Sequence, residues 1–153
     1  MILKSLWLHF IRIYIRLGLF FYYKKIKLVN KESVPKTGAV MFLGNHQSAL
    51  MDALFIAARS GRFTYFLTRA SVFQNAIIEK ILKSLLMIPV YRVRDGWNKI
   101  SKNNAIFKDC GKLLGQNNAL SLFPEGNHNI KRMVRPLSKG FTRIVFDTLE
   151  KHP

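Results

Sequence analysis

Short, nearly unbroken apolar runs recur along this chain and limit its fold more than any other feature. They are Ala39-Val40-Met41-Phe42-Leu43-Gly44, Thr64-Tyr65-Phe66-Leu67, Met87-Ile88-Pro89-Val90-Tyr91 and Ala119-Leu120-Ser121-Leu122-Phe123. Strands that stay apolar on both faces belong to parallel sheets covered by helices on each side. Stretches with helical spacing follow the runs: Leu50, Ala53, Leu54 and Ala57, then Phe73 to Leu86, Lys99 to Gly115 and Ser138 to Leu149. Ser48 stands where it can cap the first of these helices. Ile26-Lys27-Leu28-Val29 alternates in polarity and reads as an additional strand, followed by a turn at Val34-Pro35-Lys36-Thr37-Gly38. Strands alternating with helices predict an α/β fold, a single domain whose central sheet is mostly parallel or mixed. The 153 residues suffice for one such core, and they show no internal repeat or interdomain linker.

The first 23 residues are apolar but interrupted by Arg12 and Arg16, and they end in Lys24-Lys25. A secretory signal has an unbroken apolar stretch and a small-residue cleavage site, which this segment lacks. A spanning helix would place both arginines in hydrocarbon, at a cost of at least roughly 2.5 kcal/mol each. At about 100° per residue, Ser5, His9, Arg12 and Arg16 share one narrow wedge, whereas Trp7, Phe10, Ile11, Tyr14 and Leu17 cover other faces. The pattern predicts an amphipathic helix in the membrane interface, arginines at head-group level and aromatic rings below. A core helix with one wet stripe is the plainer alternative.

Lysine and arginine total 25 against 8 acids, a formal charge of +17, which calls for an anionic partner. Acidic membrane head groups and nucleic acid are both physically suitable. The aromatic residues lie inside apolar runs instead of alternating with exposed basic ones as a stacking platform would, which favours the membrane. The one cysteine, Cys110, has no partner for an internal disulfide and reads as a small buried residue on a helix, in keeping with a reducing compartment.

Three segments carry chemistry. His46 stands where a strand hands over to a helix, the usual place for functional groups in α/β sheets, although a histidine there is often merely structural. Asp52 is the acid nearest to it in sequence and can orient an imidazole and stabilise its charged form. Phe123-Pro124-Glu125-Gly126 ends the last apolar run; it reads either as a tight turn or as a ligand contact, with Gly126 admitting close approach and Glu125 accepting from hydroxyls. Arg92, beyond Val90, can hold a phosphate bidentately or simply be solvated. Arg132, Arg135 and Lys139 add cations after the glycine. No cluster has metal-ligand spacing, so no metal is expected.

In order and spacing, Asn45-His46-Gln47-Ser48 with Asp52, Val90-Tyr91-Arg92 and Phe123-Pro124-Glu125-Gly126 resemble the first three blocks of the glycerolipid acyltransferases, the family that includes the 1-acylglycerol-3-phosphate acyltransferases. Thr68-Arg69-Ala70 and Phe73 fall where members carry a related segment. The chain departs from the pattern in three ways. Five residues instead of four separate His46 from Asp52, Asn127-His128 replace the usual Thr-Arg after the glycine, and a fourth, proline-containing apolar block is absent.

The resemblance implies a membrane-associating helix over 1–25 and an acyltransferase domain over 26–153 that is C-terminally incomplete. It implies transfer of an acyl group from an acyl-CoA or acyl-carrier-protein thioester, used as co-substrate with no bound cofactor, to a hydroxyl of a glycerophosphate lipid in phospholipid biosynthesis. His46 and Asp52 would be catalytic; Arg92, Glu125, Gly126, Arg132 and Arg135 would bind substrate. The expected partners are an anionic membrane surface, the thioester donor and a lyso-phospholipid, without nucleic acid. The expected location is the cytoplasmic face of the membrane, peripheral or monotopic. A non-catalytic basic protein of membrane surfaces or nucleic acid is the alternative.

Overall fold

Each of the four apolar runs forms a strand of one parallel sheet. The computed structural model describes residues 2–126, 133 and 135–151. Helix α1 (Ile2–Tyr22) precedes β1 (Val40–Leu43), α2 (Leu50–Arg59), β2 (Thr64–Arg69), α3 (Ala76–Ser84), β3 (Met87–Val90), α4 (Trp97–Ile100), α5 (Asn103–Gly115), β4 (Ala119–Leu122) and α6 (Gly140–Lys151). The strand order is β1-β4-β2-β3, so the last strand enters between the first two. Every pairing is parallel.

Register explains the core. Met41, Leu120 and Tyr65 lie in one row across β1, β4 and β2, and Leu67 faces Ile88 across β2 and β3. These side chains pack against Cys110 and Leu114 of α5 and Ile144 of α6. Burial, aided by the neighbouring charge of Asp109, pushes the Cys110 thiol up to about 12, so it stays protonated and poorly nucleophilic. Phe66 and Met87, in register with each other, face the opposite side. With Leu8, Ile11 and Ile15 of α1 and Ala53, Leu54 and Ala57 of α2, they line an apolar cavity of about 110 Å³.

Helix α1 packs on the protein through Leu8, Ile11, Ile15 and the buried Leu19, with Arg12 at the edge of that face. Its polar wedge flanks this face: Arg12 is partly buried, whereas Ser5, His9 and Arg16 remain exposed. Arg12 sits over the Phe63 ring at 4.2 Å and donates through Nη2 to the Arg62 carbonyl. Arg16 Nε donates to the Ala58 carbonyl at 2.8 Å, in the last turn of α2, where unsatisfied carbonyls favour a cation. His9 meets Phe63 edge-on. Leu3, Phe10, Tyr14, Phe20 and Phe21 consequently face outward. Both arginines thus have partners within the protein, in the Arg62 and Ala58 carbonyls and the Phe63 ring. Among the described residues no helix is long and apolar enough to cross a membrane.

Local boundaries differ elsewhere for identifiable reasons. Ile26–Val29 forms no strand: no neighbouring strand pairs with it, and Leu28 and Val29 are exposed. The third helix starts at Ala76 rather than Phe73, because Asn75 Oδ1 caps it by accepting from the N–H groups of Ile77 and Ile78, while Ala70–Phe73 is a separate 3-10 turn. The segment before β4 is two helices, α4 and α5, not one.

Candidate active site

In an open parallel sheet, ligands gather at the carboxyl ends of the strands, near the point where strand order reverses. Here all four carboxyl ends carry candidate groups: His46 after β1, Arg69 ending β2, Arg92 after β3 and Glu125 after β4. The insertion of β4 beside β1 brings the first and last of these loops together.

Their contact begins with a glycine. A Cβ on Gly44 would stand 3.1 Å from Phe123 Cε1, so its absence lets the phenyl ring close over the end of β1. The His46 ring then stacks on Phe123, centroids 4.3 Å apart and planes 14° apart. Asp52 Oδ2, in the first turn of α2, accepts from His46 Nδ1 at 3.1 Å and from the Ser48 N–H at 2.9 Å. The two side chains are only 22% and 20% exposed, which shields their hydrogen bond from bulk water.

The added residue between His46 and Asp52 is absorbed at one position. Ala49 precedes α2 at φ 48°, ψ −117°, a conformation a residue with a Cβ rarely adopts, at a cost of about 1–3 kcal/mol. Helix α2 begins after it, at Leu50, and its first turn carries Asp52 back under the imidazole. Ser48 does not cap α2 through its hydroxyl as expected; its backbone N–H donates to Asp52, and its carbonyl accepts from the Met51 N–H.

After β4, the Gly126 N–H donates to the Phe123 carbonyl at 3.0 Å, and φ of 68° at Gly126 completes a turn that strongly favours glycine. The turn buries Glu125 to 9% exposure, and its Oε2 has no hydrogen-bond partner among the described residues. An unsatisfied buried carboxylate oxygen is costly and suits a donor brought by a ligand. Arg92 Nη1 donates to the Gly126 carbonyl at 3.0 Å, joining the third strand's loop to this turn.

Arg92 is itself held by its backbone. Asn103 spans Tyr91 from both sides, Oδ1 accepting from the Tyr91 N–H at 2.9 Å and Nδ2 donating to the Tyr91 carbonyl at 2.7 Å. Asp95 Oδ2 accepts from the Arg92 N–H at 2.8 Å. Burial, and then the like charge of Arg69, lower the Arg92 guanidinium below its ordinary value; Asp95 opposes this and Arg94 adds to it. It stays cationic regardless, in a neighbourhood rich in positive charge.

Of the residues singled out in the sequence, His46 and Asp52 are in contact, and Arg92, Glu125 and Gly126 share one corner. Arg135 is exposed, on a segment tied back to the turn by the Ser138 N–H donating to the Pro124 carbonyl at 2.8 Å. Arg132, like Asn127 and His128, lies outside the described residues. The sequence gives no sign of Asn103, Asp95, Phe123 and Gly44 as positioning groups, and it marks Arg69 only as part of a segment. Arg69 ends an apolar run as Arg92 follows one, so the same reasoning would have found it. No group of three metal-ligating side chains forms among the described residues.

A probable 1-acyl-sn-glycerol-3-phosphate acyltransferase of Mycoplasma pneumoniae is 26% identical over 147 residues, covering 92% of this chain and 52% of the relative. The crystal structure of the 1-acyl-sn-glycerophosphate (LPA) acyltransferase PlsC from Thermotoga maritima superposes with a TM-score of 0.71 at 18% identity, covering 95% of this chain and 55% of that one. The shared fold is thus established, and the chain spans about half the length of both relatives. The profile of the family described as Acyltransferase matches residues 25–151, a stretch that includes every strand and all four carboxyl-edge loops. The chain belongs to the acyltransferase family.

Proposed function

We propose that the protein transfers a fatty acyl group from a coenzyme A or carrier-protein thioester to a hydroxyl of a glycerophosphate lipid such as 1-acylglycerol 3-phosphate. The observation that carries this reading is the His46–Asp52 hydrogen bond of 3.1 Å beside a corner where Arg92 meets the Glu125-Gly126 turn. Asp52 holds Nδ1 and so directs proton exchange to Nε2. The imidazole takes the acceptor's hydroxyl proton as that oxygen bonds to the thioester carbonyl carbon. The tetrahedral intermediate then collapses, the carbon–sulfur bond breaks, and the departing thiolate takes the proton from the imidazolium. Acceptor ester and free thiol result, with no acyl-enzyme required. The protonated Cys110 thiol, buried in the core, plays no part.

Arg92, with Arg69 nearby, supplies the charge that fits an acceptor phosphate. The open Oε2 of Glu125 fits a second acceptor hydroxyl. The apolar cavity beneath α1 suits an acyl chain, and the outward apolar face of α1 suits attachment to the membrane that holds the acceptor. Similarity to the two named relatives supports this acceptor class.

The test is to incubate the protein with an acyl thioester, anionic vesicles and a panel of lyso-phospholipids, then identify products by mass. One acylated glycerophosphate and stoichiometric free thiol are expected. Thioester hydrolysis without an acylated lipid, or no consumption at all, would contradict the reading.

A further inference from the structure

Two apolar rows meet on the outer side of α1 and α3. On α1, Leu3, Trp7, Phe10, Tyr14 and Leu17 follow one another three or four residues apart and share a face. Each is at least 40% exposed. On α3, Ile77 and Ile81 stand one turn apart, 71% and 50% exposed, and Ser84 continues their row. The rows touch: the Trp7 indole N–H donates to Ser84 Oγ at 3.2 Å. Ser84 Oγ in turn donates to the Ile81 carbonyl at 2.7 Å, so both polar groups at the seam are satisfied without water.

We infer that α3 is a second lipid-contacting helix, and that α1 and α3 form one apolar plane that lies against an anionic bilayer with Trp7–Ser84 as its seam. A lipid surface fits this plane better than a second copy of the chain because of the charges around it. Lys4 and Lys80 belong to the same two helices, and Lys24, Lys25 and Lys27 follow α1; none of the five joins an ion pair among the described residues. Two copies meeting face to face would oppose these cations on a chain already at +17, whereas acidic head groups neutralise them. The plane goes beyond the attachment proposed for α1 alone, and it does not depend on the chemistry at His46.

The experiment is cosedimentation with vesicles of equal parts phosphatidylglycerol and phosphatidylcholine, comparing wild type with Ile77→Ser/Ile81→Ser. Both isoleucines are exposed, so the variant should melt like wild type. It should partition about tenfold more weakly, since each serine forfeits apolar area that would enter the acyl region. In a Trp97→Phe background, Trp7 is the remaining indole, and bromine-labelled acyl chains should quench it. Unchanged sedimentation of the double variant, or an unquenched Trp7, would overturn the inference. So would lipid-free self-association that the double variant abolishes while vesicle binding persists, because that assigns the plane to a second copy. His46→Ala should bind vesicles like wild type, which keeps this result separate from any loss of acyl transfer.

Discussion

Arginine is used differently beneath α1 and at the carboxyl edge of the sheet, and the difference separates scaffold from site. Beneath α1, guanidinium groups are spent on main-chain carbonyls. Arg16 binds Ala58; Arg62 binds Pro35, Gly38 and Asn117 at 2.8–2.9 Å and ties the lead-in of β1 to that of β4. Arg12 adds the face of Phe63. At the carboxyl edge, the like charges of Arg69 and Arg94 lower the Arg92 guanidinium, Asp95 accepts the Arg92 backbone N–H, and Arg92 Nη1 reaches the Gly126 carbonyl. The arginines beneath α1 join elements of the fold, whereas Arg92 joins two loops of the site among other cations, where like charges raise the local positive potential.

That contrast can be broken by substitution. The largest effect is expected at His46: alanine there should lower kcat by roughly 10³-fold, the scale of a lost general base, while the melting temperature barely moves. A normal kcat would remove the imidazole from the chemistry. Next, Arg92→Ala should raise the acceptor KM about 30-fold, near 2 kcal/mol, and leave the thioester KM alone. Arg12→Ala should do the reverse, lowering stability by about 1–2 kcal/mol with both KM values intact. Equal KM effects from the two variants would erase the distinction. Asn103→Leu should combine both behaviours, costing about 2 kcal/mol of stability through the unpaired Tyr91 N–H and carbonyl and raising the acceptor KM severalfold. The smallest effect is a gain: Ala49→Gly should stabilise the fold by about 1 kcal/mol, read as a rise in melting temperature, because glycine tolerates φ of 48°.

Much of the architecture was legible because parallel strands leave a plain mark. Residues buried on both faces, as at Ala119–Leu122, must be mostly apolar, and Ser121 is the one polar side chain in that strand. Alternation misled at Ile26–Val29, since a strand also needs a neighbour, which a local pattern does not report. The wedge of α1 was visible, but periodicity states only that residues share a face, never what the face meets. Phe63 and the last carbonyls of α2, which decide it, lie some fifty residues away.

In the site, proximity along the chain favoured His46 and Asp52, and apolar strand endings favoured Arg92 and Glu125. The one-residue excess between His46 and Asp52 was readable as a problem, not as a solution, because alanine gives no sign that it will adopt a left-handed φ. Asn103 was hidden for a different reason. An asparagine at the start of a helix suggests a cap, whereas this one reaches back across twelve residues to Tyr91. A buried amide of this kind is defined by its partners, and they come together only in the folded chain.

A double-mutant cycle on His46 and Asp52 tests the central claim most directly. If the carboxylate acts only through the imidazole, His46→Ala/Asp52→Ala should lose no more kcat than His46→Ala alone, so the two effects will be strongly non-additive. Losses that simply multiply would show the two groups acting independently and would contradict this account.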